Sequence, residues 1–98
     1  MRIIDTYYDP VAAVADDGTE YIAIPTFDGG ALDKNGIEKS IFIYKLPSGG
    51  ATLVQGRLTL PEDAEEVYSG TYDDALVDWE YGDTSAVYDL CEKLLLEM

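Results

Sequence analysis

Histidine is absent and cysteine occurs once, as Cys91. The first absence removes the commonest general base and the commonest metal ligand. The two together leave no cysteine–histidine set for zinc and no intramolecular disulfide. Bases are scarce as well: six Lys and Arg stand against twenty Asp and Glu, a net charge of −14. This balance excludes the basic patch that direct nucleic-acid contact requires and disfavours an anionic membrane surface. No apolar run approaches the roughly 20 residues of a membrane-spanning helix. Met1-Arg2-Ile3-Ile4 is followed at once by Asp5, which is no signal-peptide pattern. A secreted domain of this size would need staples, so a reducing cytoplasm is the expected compartment.

What is present is enough apolar residue for one modest core. The 98 residues are 47% hydrophobic, so the charge does not signal disorder, and residues 1–98 read as one domain. Charge is unevenly distributed. Residues 1–60 hold eight acids and five bases, whereas 61–98 hold twelve acids and only Lys93.

The first part reads as sheet. Ile3–Tyr8 is a first strand, with Ile4, Thr6 and Tyr8 on one face, ended by Asp9-Pro10. Val11–Ala15 and Glu20–Phe27 flank Asp16-Asp17-Gly18-Thr19, a hairpin pattern. Pro25 places the end of that second strand at an edge. Residues 28–36 read as a loop in which Gly29-Gly30 is a connector, since no Lys and helix follow to make a phosphate cradle. Glu38–Leu46 alternates as a strand. Beyond Pro47-Ser48-Gly49-Gly50, Ala51–Leu60 is expected to return along it in the sheet centre, with Val54, Leu58 and Leu60 on one face.

The second part reads as mostly helical. Pro61–Tyr68 has Pro and acids at its start, as a helix N-terminus prefers, and Ser69-Gly70 would end it. Tyr72–Glu80 fits helix or strand. Asp83 or Thr84 caps a last helix that runs to about Glu97, in which Ala86/Val87, Leu90/Cys91 and Leu94/Leu95 form one apolar stripe, with Asp89, Glu92 and Lys93 facing outward. The expectation is an α+β fold: an antiparallel sheet of about four strands, built of hairpins, with a C-terminal helix packed on one face.

The functional signal lies in Pro61–Glu92, which carries eleven carboxylates and no Lys or Arg. The candidate partner-binding residues are Glu62, Asp63, Glu65, Glu66, Tyr68, Tyr72, Asp73, Asp74, Asp78, Glu80, Tyr81 and Asp83. The acids would meet a basic surface, and the tyrosines would act as rigid anchors, unless Tyr68 and Tyr72 only cover the edge of the core. Trp79 reads as core. Paired acids can run glycoside hydrolysis, but without His and with a core too small for a deep pocket no catalytic residue is assigned. The acids do not keep the spacing of a helix–loop–helix calcium site, and no metal or other cofactor is assigned. Cys91, between Leu90 and Leu94, reads as buried and inert.

Acids three or four apart on a helix stand ~5–6 Å apart, and two apart on a strand ~7 Å. A row Glu62, Asp63, Glu65, Glu66, Asp73, Asp74, Asp78, Glu80 could therefore imitate a phosphate backbone. In size, acidity and lack of catalytic machinery the chain resembles small inhibitors of phages and mobile elements, among them DNA mimics and anti-CRISPR proteins. That resemblance implies non-enzymatic inhibition of a basic nucleic-acid-handling protein in the host cytoplasm, by a monomer or homodimer. The alternative is a small structural or regulatory subunit whose acidity serves solubility.

Overall fold

The computed structural model describes residues 1–6, 10–26, 39–54, 57–78 and 80–98. The strands are β1 (Arg2–Thr6), β2 (Val11–Val14), β3 (Glu20–Pro25), β4 (Ser40–Leu46), β5 (Thr52–Val54), β6 (Arg57–Thr59) and β7 (Glu65–Thr71). A 3-10 turn (Asp74–Leu76) and helix α1 (Ser85–Leu96) follow. Five strands form one antiparallel sheet in the order β1-β2-β3-β4-β7, and β5 and β6 pair only with each other. The expected α+β arrangement is therefore present, with five strands in the main sheet and α1 against it.

The β2–β3 hairpin turns where the Asp-Gly pattern places it. Ala15 N–H donates to the Thr19 carbonyl (2.8 Å) and Gly18 N–H to that of Ala15 (2.9 Å). Gly18 takes φ 89°, a left-handed conformation that its missing Cβ permits. The Asp17 carboxylate accepts the Thr19 N–H at 2.9 Å. That bond, first among its causes, holds the Asp17 carboxyl below the ordinary value of 3.8.

The core lies between the sheet and α1. Val87, Cys91 and Leu95, one helical turn apart, are fully buried with Val11, Ala13, Ala23, Ile41 and Ile43 from β2, β3 and β4. Leu90 and Leu94 pack beside this line and are only partly buried. The buried stripe is therefore centred on Cys91, with the leucines on its flank. Burial pushes the Cys91 thiol up to about 12. The opposite face of β2 and β3 is also closed at Ala12 and Ile22, which is why these strands read as near-continuous apolar runs.

Several expectations are corrected. Pro25 is not at a sheet edge: it pairs with Ile41, and β3 lies between β2 and β4. Its ring is accommodated because Thr26 N–H points to Ser40 of β4. By alternation the Pro25 nitrogen faces the other way, beyond Val11 where β2 begins.

Residues 51–60 do not return along β4. They close on themselves as β5–β6, with Leu53 opposite Leu58 and Val54 opposite Arg57, so Val54 and Leu58 do not share the face of one strand. The place beside β4 belongs to β7, where a helix was expected. The acidic start of that segment makes only one turn, with Ala64 N–H on the Pro61 carbonyl at 3.1 Å. Continued as a helix, it would stack Glu62 on Glu66 and Asp63 on Glu66, like charges at destabilising spacings. As a strand it separates them and closes the ladder of Ile41 and Ile43.

In β1 the ladder shifts between Ile3 and Asp5, so Ile3 faces the core and Ile4 is exposed. Tyr8, the loop expected over 28–36 and Trp79 lie outside the described residues.

Candidate acidic interaction surface

β7 carries the first acids because β4 needs an outer partner and the segment after the Pro61 turn is rich in strand-forming Val67, Tyr68 and Thr71. Glu62 and Asp63 stand exposed in the turn before it. Asp63 accepts a hydrogen bond from the Ser48 hydroxyl, which ties this turn to the one after β4. Glu65 and Glu66 are exposed in the first two positions of β7. Glu65 lies opposite Lys45 and Glu66 opposite Tyr44, so the two carboxylates leave the sheet on opposite faces.

The register shifts at Val67, which is left as an extra residue between Glu66 and Tyr68. Tyr68 is 37% exposed and lies over Gly70. A Cβ at Gly70 would stand 2.5 Å from the Tyr68 hydroxyl oxygen, so a side chain at this strand position would have to turn that ring aside.

Past β7 three aspartates build the connection to α1. Asp73 accepts the Ala75 N–H at 2.9 Å. Asp78 accepts the N–H groups of Glu80 and Tyr81 at 3.1 and 3.3 Å. Asp83 accepts from the Ser85 N–H at 3.0 Å and the Ser85 hydroxyl at 2.7 Å. That side-chain bond is the main reason the Asp83 carboxyl sits below 3.8. The residue preceding the helix cap Thr84 thus satisfies the first helical donor, and the Thr84 side chain makes no capping bond.

Asp78 and Asp83 also exchange both backbone hydrogen bonds, at 2.9 and 3.1 Å. Between them Gly82 takes φ 71°, and Tyr81 is left 80% exposed on a pinned loop.

The structure does not assemble the expected single row of charge. It makes two acidic groups, Glu62, Asp63, Glu65 and Glu66 at one end of β7, and Asp73, Asp78, Glu80 and Asp83 beyond the other. Between Glu66 and Asp73 lie six residues without charge, ~20 Å of extended chain. Asp74 sits in the 3-10 turn.

Tyr72 is corrected from exposed anchor to core: it is 9% exposed and its hydroxyl donates to the Thr26 carbonyl. Of the two readings open for Tyr72, anchor or cover for the core edge, the second holds. Of the two candidate caps for the last helix, Asp83 is the one whose carboxylate serves the first helical donor; the anchoring work of Asp73 and Asp78 went unread, although each is followed within two or three residues by the donor it accepts, a visible Asx-type pattern.

Among the described side chains no acid of this surface is in an ion pair; the one ion pair joins the Met1 amino group to Asp16 at 4.0 Å. Nor do three potential ligands among the described residues gather closely enough to hold a metal ion. No described helix is long and apolar enough to cross a membrane. No protein-family model, curated protein or solved structure matches the chain.

Proposed function

We propose that the chain is a non-enzymatic acidic binding protein that occupies a basic site on a nucleic-acid-handling protein, as a DNA mimic of the anti-CRISPR kind would, in a host cytoplasm. The observation that carries this reading is the double group of exposed acids about β7, in no ion pair among the described side chains, with Lys45 opposite Glu65 the one base that the β4–β7 register sets against them. Two negative groups on a narrow edge offer a Lys- and Arg-lined groove the charge it holds phosphates with. Tyr81, exposed and pinned between Asp78 and Asp83, is the aromatic anchor best placed to slow dissociation.

The alternative, a structural or regulatory subunit, has one observation in its favour. Asp73, Asp78 and Asp83 each have a local structural task that needs no partner.

The test is capture from a host lysate followed by competition with duplex and single-stranded DNA. The captured protein should be basic, and DNA should displace the chain. Reversing Glu62, Glu65, Glu66 and Glu80 to Lys spares the three anchoring aspartates and should slow association, most strongly at low salt. Tyr81→Ala should speed dissociation. A partner that binds DNA and this chain together without interference would favour the subunit reading.

A further inference from the structure

β7 ends its side of the sheet, and none of the described residues pairs with its outer edge. Of its residues Glu65–Thr71 only Gly70 is less than exposed. Which backbone groups that edge presents follows from its inner partner. The Ser40 carbonyl accepts from Thr26, so Ser40, and by alternation Phe42 and Tyr44, face β3. Their opposites on β7, namely Thr71, Ser69 and Glu66, therefore turn their N–H and C=O groups outward. The Tyr72 N–H, which donates to the Lys39 carbonyl at 3.1 Å, gives the same phase from the other side.

Open edges invite pairing, and proteins blunt them with charge and bulges. Here the acids and the Val67 bulge sit at the beginning of β7, and Asp73 just past its end, whereas Tyr68–Thr71 is regular and uncharged. A second copy is the wrong occupant. Antiparallel self-pairing would bring Glu65 and Glu66 toward Asp73, and parallel pairing would set each acid beside itself. Both carry the repulsion of two chains of −14. Lys45, opposite Glu65, offsets one charge at the start of β7 and leaves Glu62, Asp63 and Glu66 there and Asp73 past its end, a pattern that complements a strand with bases on both flanks and an uncharged middle.

We infer that β7 accepts an extended segment of a basic protein as a sixth strand of the sheet. Ser69 and Thr71 exchange backbone hydrogen bonds with its middle, and the acidic groups at either end of β7 take its flanking Lys or Arg. The inference rests on the acidic-surface reading for the partner's charge and adds how that partner is held.

The probe is a short peptide with Lys-Lys at each end and an alternating Thr-Val middle. A second version carries N-methyl groups on alternate middle amides, so that charge is kept and backbone donors are lost. On binding the first peptide, amide exchange at Ser69 and Thr71 should slow. The methylated peptide should bind at least about tenfold more weakly, the loss of one or two backbone hydrogen bonds. Ser69→Pro removes an outward N–H without removing a bond to β4, and should weaken the first peptide similarly.

Equal binding of the two peptides, unchanged exchange at Ser69 and Thr71, or a dimer of the free chain that buries β7 would each overturn strand addition. Should peptide binding fail while both the parent and Ser69→Pro still compete with DNA for a captured basic protein, the acidic surface stands and strand addition falls.

Discussion

The two long sides of the sheet are built on opposite terms. On the β2–β3–β4 side, Val11, Ala13, Ala23, Ile41 and Ile43 are closed off from solvent together with Val87, Cys91 and Leu95 of α1. On the β7 side, six of seven strand residues are exposed, and the charges stand unpaired among the described side chains. β7 is nonetheless held, by the ladder to β4 and by Tyr72, which follows it into the core. The difference teaches where stability and where encounter reside. Burial on the first side stabilises the fold, and the second is left with little to lose by carrying charge.

The comparison breaks most readily in the core. Leu95→Ala should destabilise by about 2–5 kcal/mol, the range for truncating a buried leucine. Leu90→Ala, on the flank, should cost clearly less. Denaturant unfolding of the two variants checks this, and equal losses would mean that the stripe is centred elsewhere.

Cys91 sharpens the same point through pH. Its thiol ordinarily titrates near 9.0 and is raised to about 12 in the fold. A raised value means that its contribution is intact below pH 9 and is lost as pH rises toward 12. The folded protein should therefore resist thiol alkylation at mildly alkaline pH and become reactive only on unfolding. Rapid labelling of the native chain would show that α1 opens locally.

On the β7 side the expected effects are smaller. Gly70→Ala should cost no more than about 1 kcal/mol, because the atoms it meets are the outer end of the exposed Tyr68 ring, which can turn aside. In a Tyr68→Ala background most of that cost should vanish. A double-mutant cycle measures it, and additivity would show that the ring does not hold the space.

Smallest of all are the charges themselves. Adding salt to ~0.15 M, where the Debye length is ~8 Å, should raise the melting temperature by relieving repulsion within each acidic group. Glu65→Gln and Glu66→Gln should each change stability by no more than ~0.5 kcal/mol. A fall in melting temperature with salt would mean that the acids are engaged in favourable pairs.

Much of this architecture was legible in the residues. Asp16-Asp17-Gly18-Thr19 announced the β2–β3 hairpin because an Asp-Gly turn needs a left-handed glycine. Val87, Cys91 and Leu95 announced α1 because their spacing returns to one helical face. Of the candidate surface, the exposure of Glu62, Glu65, Glu66 and Glu80 followed from residue type. What misled was local preference without its tertiary competitor. Pro61 followed by acids is a good helix start, and it does form one turn. The open edge of β4 then captures Glu65–Thr71, since pairing a whole ladder outweighs the few tenths of a kcal/mol that decide an isolated helix.

By itself the sequence determined that the chain carries −14, has no histidine and a single cysteine, and ends in an apolar stripe at helical spacing. These are properties of residue type and short-range spacing, and no packing can change them. Only the tertiary structure decided that β7 rather than residues 51–60 lies beside β4, that the acids form two groups across an uncharged open strand, and that Tyr72 is core while Tyr81 is surface. Those outcomes depend on which distant segment reaches a shared edge first in free energy, and no window along the chain contains both competitors.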